Sequence, residues 1–382
     1  MHTIKLINFL LVSSCDRFDK ELNEVREREN IMYPFKVLDH EDIKAILDMK
    51  NVIDIVEKAY VLKENKEASL FPMVFHEFEP GKADMDIKSG ELSGAGIFGL
   101  KLVSWFGDNP SKGLPAVVGT VLVLDSRTGL PIGILSGEYM TMMRTGAAGG
   151  IGAKYLARKD SEELLMVGSG HVAAYQILAV LMTMNHIKRV RVYNAHSFDR
   201  AGQFCADIKG KLKELLAQTK EQNPEVYEEM LQKIEIEYTP VNDIETATRN
   251  ADIIITATPA RQPIILKEWV MPGTHFSCVG ADMAGKQEID ENILTDARIF
   301  VDDLEQSVTV GEFETAFKKG IIAKDSIISE IGGVITNQAP GRISPEDITV
   351  FDSTGISLQD LLTASYVLEQ AEEKQIGMST KL

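Results

Sequence analysis

The segment ELLMVGSGHVAAYQILAVLMTMN, starting at Glu163, sets Gly168, Gly170 and Ala173 in the spacing G-x-G-x-x-A. An apolar, strand-like run precedes the triplet and a helix-like run follows it. A glycine triplet alone says little, but that context narrows the possibilities sharply. The first glycine makes the tight turn. The second lets backbone N–H groups approach a pyrophosphate, and the small third residue lets helix and strand pack closely, with the helix N-terminus toward the phosphates. The segment predicts the opening strand–turn–helix of a dinucleotide-binding sheet.

The downstream text agrees. Short apolar runs at 164–168, 189–194, 234–238, 252–257, 274–279, 298–302 and 348–352 alternate with helical stretches through residue 355. Such alternation predicts a doubly wound parallel α/β sheet. The Lys-, Glu- and Gln-rich segment 207–233 reads as an exposed helix or helical pair without function. The end of the second strand should hold the group that reads a ribose; here it is Asn194, in VYNAHSFDR. With no acidic residue to repel a 2′-phosphate, and Ser197, His196 and Arg200 close by, the reading tilts from NAD toward NADP.

Upstream, Asp39 or His40 can cap a helix over 41–49 and Asn51 another through 59–63. Residues 97–105 and 117–124 are strand-like, and Gly129 and Pro131 mark a turn before a short strand. Ser136 then opens a long helix, SGEYMTMMRTGAAGGIGAKYLAR, whose only charge between Glu138 and Lys154 is Arg144. Each glycine in it costs roughly 1 kcal/mol against alanine, so close approach of a backbone, a strand or a cofactor must offset them. Residues 1–34, with the short apolar run IKLINFLLV and a charged stretch, read as an extension to the folded part. An amphipathic helix over 356–374 returns to the first domain. The expected organisation is therefore a smaller α+β domain from 35–146 with 356–382, and a nucleotide domain over 147–355.

Composition excludes several classes. Lys+Arg number 40 and Asp+Glu 57, a net charge of −17. A surface so acidic repels nucleic acid and anionic lipid. Cys15, Cys205 and Cys278 form no C-x-x-C pair, and no histidines show ligand spacing, so neither a disulfide framework nor a metal site is expected. The simplest compartment is the cytoplasm.

Three charges sit in apolar surroundings: Lys101 in a strand, Arg144 in a helix, and Asp282 just past a strand end in CVGADMAGKQE. Buried charge must be paired or hydrated. One reading is a structural ion pair, for example Arg144 with Asp282. The other is a site for a small zwitterion, in which Arg and Lys hold a carboxylate and Asp moves protons at an amine.

Taken together, FGLKLVSWFGDNP, DSRTGLPIGIL, MRTGAAGGIGAKYLA, VGSGHVA, VGADMAGKQEID and ITVFDSTGISLQD, running in order from about residue 36 to about 370, resemble the ornithine cyclodeaminase/μ-crystallin family. The resemblance implies a homodimer with a Rossmann-type domain between the two chain parts of a substrate and dimerisation domain. It implies that Lys101 and Arg144 contact a substrate carboxylate and that Asp282 is the acid/base, with Lys101 also at the catalytic centre. Gly168, Ser169, Gly170, His171, Val172, Ala173, Asn194, Ser197 and Thr145 then fall on the dinucleotide. Thr256, Ala257 and Thr258 line it, and Val279, Gly280, Ser353 and Gly355 lie near the nicotinamide.

The activity so implied is the NAD(P)-dependent conversion of L-ornithine to L-proline and ammonia, with internal return of the hydride. Alternatives in the family are an alanine-type dehydrogenase or a cyclic ketimine reductase; outside enzymes, a μ-crystallin-like ligand-binding protein. Two substrate-pocket positions depart from the family: Met73 stands where an arginine usually binds the carboxylate, and Ala116 where a threonine is common. Losing the arginine removes a charge-assisted pair of roughly 1.5–3 kcal/mol. His76 is a possible substitute.

Overall fold

The computed structural model describes residues 33–382. The expected extension, Cys15 included, lies almost wholly outside them. Two eight-stranded sheets organise the chain. Seven strands of the first come earliest in the chain: β1 (Pro34–Leu38), β2 (Ser69–Leu70), β3 (Val74–Glu79), β4 (Ala83–Leu92), β5 (Ile97–Phe106), β6 (Val117–Asp125) and β7 (Pro131–Ser136). Then come β8 (Glu163–Val167), β9 (Arg189–Tyr193), β10 (Glu237–Val241), β11 (Ile253–Thr256), β12 (Arg261–Ile265), β13 (His275–Cys278), β14 (Gln287–Ile289), β15 (Ala297–Val301), β16 (Ile327–Glu330), β17 (Ile348–Asp352) and β18 (Met378–Lys381).

The second sheet runs β10-β9-β8-β11-β13-β17-β15-β16, every pairing parallel. This is the doubly wound α/β fold expected from the alternation, and the order reverses between β8 and β11. The first sheet, β18-β1-β7-β6-β5-β4-β2 with β3 on β4, is mostly antiparallel and joins the two ends of the described residues. Tyr33 N–H donates to Leu382 O at 3.0 Å, so the sheet begins slightly earlier than residue 35. Strands β12 and β14 pair separately and were invisible as apolar runs.

The main helices are α1 (His40–Lys44), α2 (Met49–Glu64), α3 (Glu138–Leu156), α4 (Ala173–Thr183), α5 (Phe198–Leu215), α6 (Ala217–Gln222), α7 (Pro224–Lys233) and α8 (Ser357–Glu373). Asp39 caps α1 in a reciprocal box with Asp42, and α1 ends at Lys44 rather than running through 49, where the next helix begins. Asp48, not Asn51, caps α2, because its side chain reaches the N–H groups of Lys50 and Asn51. Ser136 ends β7 instead of opening α3, which starts at Glu138 after Gly137. Segment 207–233 belongs to three helices rather than one exposed pair. Ile208, Leu212, Leu215, Leu216 and Met230 are all buried, so its inner face packs on the core. None of the described helices is long and apolar enough to cross a membrane.

Small residues set how closely the layers meet. A Cβ at Gly146 would lie 2.8 Å from the Tyr175 backbone, and one at Gly150 2.8 Å from Ala179 Cβ, so the small-residue stripe of α3 admits the backbone of α4. Gly149 O accepts from Ser277 Oγ on β13 at 3.0 Å. The offsetting contact is thus a helix on one side and a strand on the other. On β4 and β5, Gly90 and Gly99 leave room for Leu358 and Leu361, which seat α8 across the first sheet.

Candidate active site

The pleat and register of the first sheet select which residues share a face. Lys88 on β4 pairs directly with Lys101 on β5; one step along the same face come Asp86 and Val103, then Asp84 and Trp105. Helix α8 covers this face at Gly90 and Gly99 and brings Gln359 and Asp360 to the lysines. Lys101 Nζ lies 2.9 Å from Asp360 Oδ2, and Arg144 Nε on α3 lies 3.2 Å from Asp360 Oδ1. Arg144 also donates to Gln359 Oε1 at 3.1 Å, and Gln359 donates to the Tyr60 hydroxyl at 2.6 Å. Burial raises the Asp360 pKa, but Arg144, Lys101 and Lys88 outweigh it and hold the carboxyl below its ordinary value. Burial, then Arg144, lowers Lys101 to about 8.

The cations therefore do meet a carboxylate, but it is Asp360 and not Asp282. An Arg144–Asp282 pair, the example of a purely structural ion pair, does not form: Arg144 is on Asp360 and Asp282 on Lys286. Asp282 follows β13, its side chain 51% exposed, and Lys286 Nζ donates to it at 2.5 Å. The surrounding walls push its pKa up; Lys286 and Lys88 prevail and keep it below the usual carboxylate range.

Lys88 joins the two sheets. Its buried ammonium donates to Thr354 O at 3.0 Å and Gly355 O at 2.9 Å, in the loop after β17. Asp302 holds that loop from the other side, accepting from Thr354 Oγ1 at 2.8 Å, Gly355 N–H at 2.7 Å and Ser353 Oγ at 3.2 Å. Gly355 has φ +78°, and a Cβ there would stand 2.7 Å from Arg144 Nη1. Only glycine satisfies both the conformation and the guanidinium.

The nucleotide turn lies at the reversal of the second sheet. Gly168 has φ +110° and meets Ala257 O; Ala257 N–H donates to Val167 O at 2.9 Å. A Cβ at Gly170 would point into open space, so no protein atom demands glycine there. Val172 precedes the first turn of α4 at Ala173, and His171 is exposed beside it. These residues fit a dinucleotide whose pyrophosphate needs close backbone approach. Asn194 donates to Ser169 Oγ at 2.8 Å, while its oxygen takes the N–H groups of His196 (3.0 Å) and Ser197 (3.1 Å). Ser197 Oγ is occupied as the cap of α5. A cleft of about 480 Å³ beside this turn is lined by Ser169, Gly170, Asn194, Arg200 and Lys211.

Thr145 O is taken by Gln176 Nε2 at 2.7 Å. Thr256 is fully buried at the end of β11, whereas Ala257 and Thr258 emerge beyond it. Gly280 follows Val279 at the end of β13, pressed against Thr258, and Ser353 lies at the end of β17. Met73 comes level with Lys88, since Val74 pairs with Ile87. Ala116 does not join the cluster. Its carbonyl accepts from Phe106 N–H, and Phe106 pairs with Ala83, on the face opposite Lys101. His76 pairs with Met85 on that same far face and cannot replace an arginine near Lys101.

Residues 35–210 and 204–375 match the ornithine cyclodeaminase/mu-crystallin family. The chain belongs to this family. It is 36% identical over 347 residues to an alanine dehydrogenase of Archaeoglobus fulgidus, covering 90% of this chain and 98% of that protein. An archaeal alanine dehydrogenase dimer with bound NAD superposes with a TM-score of 0.79 at 35% identity, covering 92% of this chain and all (100%) of that one. The Δ1-pyrroline-2-carboxylate reductase of Thermococcus litoralis, solved with NADH and L-proline, gives a TM-score of 0.80 at 29% identity, covering 90% and 100%. Within a family chain, sequence reading missed Asp360, Lys88 and Asp302. Asp360 was visible only as an acid in the first turn of an otherwise buried helix, and Lys88 only as a charge in an alternating strand.

Proposed function

We propose that this family member is an NAD(P)-dependent oxidoreductase acting at the C–N bond of a small 2-amino acid or its 2-imine. The observation that carries the reading is Asp282, an exposed carboxylate just past β13 that Lys286 and then Lys88 hold ionised. Gly168, Ser169, Gly170 and the ends of β11 and β13 would hold the dinucleotide, which would supply a hydride acceptor or donor. Lys101 and Arg144 present positive charge to the substrate carboxylate, oriented by Asp360 and Gln359. Asp282, kept ionised by its neighbours, is in the form that takes a proton from the substrate ammonium, and in the reverse direction it returns that proton to the amine. Asp302 and Lys88 fix the Ser353–Gly355 loop so that Arg144 keeps its aim.

The relatives with alanine dehydrogenase and pyrroline-carboxylate reductase activity favour net oxidation or reduction over cyclodeamination. One observation favours the ornithine reading: Asp86 Oδ1 is buried without a hydrogen-bond partner on the lysine face, its pKa raised by burial first and also by Asp282, against Lys88 and Lys101. That pair of carboxylates suits a second ammonium on a diamino acid. Mixing the pure protein with L-ornithine and NAD⁺ or NADP⁺ separates them: proline and ammonia without net reduced cofactor is cyclodeamination, whereas reduced cofactor matching ammonia is dehydrogenation.

The same reading gives residues 35–146 with 356–382 the substrate and dimerisation role and 147–355 the dinucleotide role. The far face of the first sheet exposes Val74, Leu102, Phe106 and Val118, apolar surface that a second copy would cover. The compartment we propose is the cytoplasm.

A further inference from the structure

The structure assigns Glu288 a positioning role: its carboxylate clamps the two loops that carry Thr258 and Asp282. The inference rests on the function proposed above. Glu288 is fully buried on β14. One oxygen accepts from Thr258 N–H at 2.6 Å and the other from Gly280 N–H at 3.0 Å, so it bridges the residues following β11 and β13. A Cβ at Gly280 would stand 2.4 Å from Glu288 Oε2, which leaves glycine alone able to make this approach.

The segment from Gly280 to Glu288 is thereby a loop tied at its base. Glu288 closes the base at Gly280, Lys286 crosses to Asp282 at 2.5 Å, and Gly285 N–H donates to Glu314 Oε2 at 2.8 Å. Glu288 is itself held in place, because Glu312 accepts from the N–H groups of Glu288 (2.8 Å) and Ile289 (3.1 Å). Asp282 sits within this loop, two residues beyond the clamped Gly280 N–H. Both clamp donors are backbone N–H groups, so both positions require an acceptor. A glutamine supplies one acceptor oxygen and sets an N–H₂ against the second donor.

The test is Glu288→Gln in the full chain, alone and with Asp282→Asn, assayed for kcat, amino-acid KM and thermal unfolding. We expect kcat to fall roughly 10²-fold, as for a misplacement of about 1 Å, with KM nearly unchanged and folding retained. In single-turnover assays the double variant should lose no more than Asp282→Asn alone, because Glu288 acts through Asp282. Parental kcat in Glu288→Gln, or losses that multiply in the double variant, overturns the assignment. If Glu288→Gln does not fold, Gly280→Ala opens the same clamp with the carboxylate kept, and parental kcat there overturns it equally. If the parent turns over no 2-amino acid, the proposed function fails, and the clamp is read from reduced-nicotinamide fluorescence. Glu288→Gln should then weaken binding roughly tenfold through Thr258, about 1.4 kcal/mol; unchanged binding overturns it.

Discussion

Lys101 on β5 and Asp360 in the first turn of α8 form a buried ion pair at 2.9 Å, with Arg144 on the carboxylate's other oxygen. One carboxylate thus orients two cations drawn from two other elements. Removing one partner of such a set leaves charge uncompensated in the interior, which costs about 3–5 kcal/mol. Asp360→Asn should lower unfolding stability by that amount in denaturant titrations. It should also raise the amino-acid KM, because Lys101 and Arg144 lose their common anchor.

The lowered pKa of Lys101 gives a pH dependence with a definite sign. Below about 8 the residue is charged and holds a substrate carboxylate; above it the charge is lost. KM for the amino acid should therefore rise as pH climbs through about 8, approaching tenfold per unit, and Lys101→Arg should flatten the rise. The native chain binds fewer protons here than the unfolded chain between about 8 and 10.5, so this residue's contribution to stability grows with pH across that window. Steady-state kinetics and denaturant titrations against pH check both halves.

Gly170 separates ligand demand from fold demand. Its Cβ would meet open space, so Gly170→Ala should change unfolding stability by no more than about 1 kcal/mol. Dinucleotide affinity, measured by fluorescence titration, should fall more than about tenfold as the methyl blocks the pyrophosphate.

Met73 stands level with Lys88, since Val74 pairs with Ile87. Met73→Arg should tighten substrate binding by roughly 1.5–3 kcal/mol, read as a drop in KM, if the substrate has one carboxylate to share. An unchanged KM would mean that the arginine points away from the cluster.

How much of this was legible follows from the kind of signal each part leaves. The nucleotide sheet was readable because its central strands, β8 and β11 above all, are buried and nearly all apolar, and because Gly168 and Ala173 serve local geometry. Strands β3 and β4 were missed because VFHEFE is exposed and ADMDIKSGEL alternates charge with apolar residues to build the site face. Lys101, Arg144 and Asp282 stood out as charges in apolar text. Their partners did not: Asp360 resembles an ordinary helix-start acid until α8 folds back onto the first sheet, and a pairing between such distant segments leaves no local pattern. Glu288 is hidden for the same reason, since its donors are backbone N–H groups of any sequence. Ala116 failed as a pocket residue on register alone, a property set by which strand pairs with which.

Hydride transfer at a C–N bond, with Asp282 handling the proton, is the centre of the account. The direct measurement follows reduced cofactor and ammonia together for the full chain with NAD⁺ or NADP⁺ and a panel of small 2-amino acids, alongside Asp282→Asn. The account predicts reduced cofactor from at least one amino acid, with an equal amount of ammonia where that amino acid carries a primary 2-amino group. It also predicts loss of turnover in Asp282→Asn by about 10²-fold or more, with dinucleotide binding retained. Turnover unchanged by Asp282→Asn, or no reaction with any amino acid by a chain that binds the dinucleotide, would contradict it.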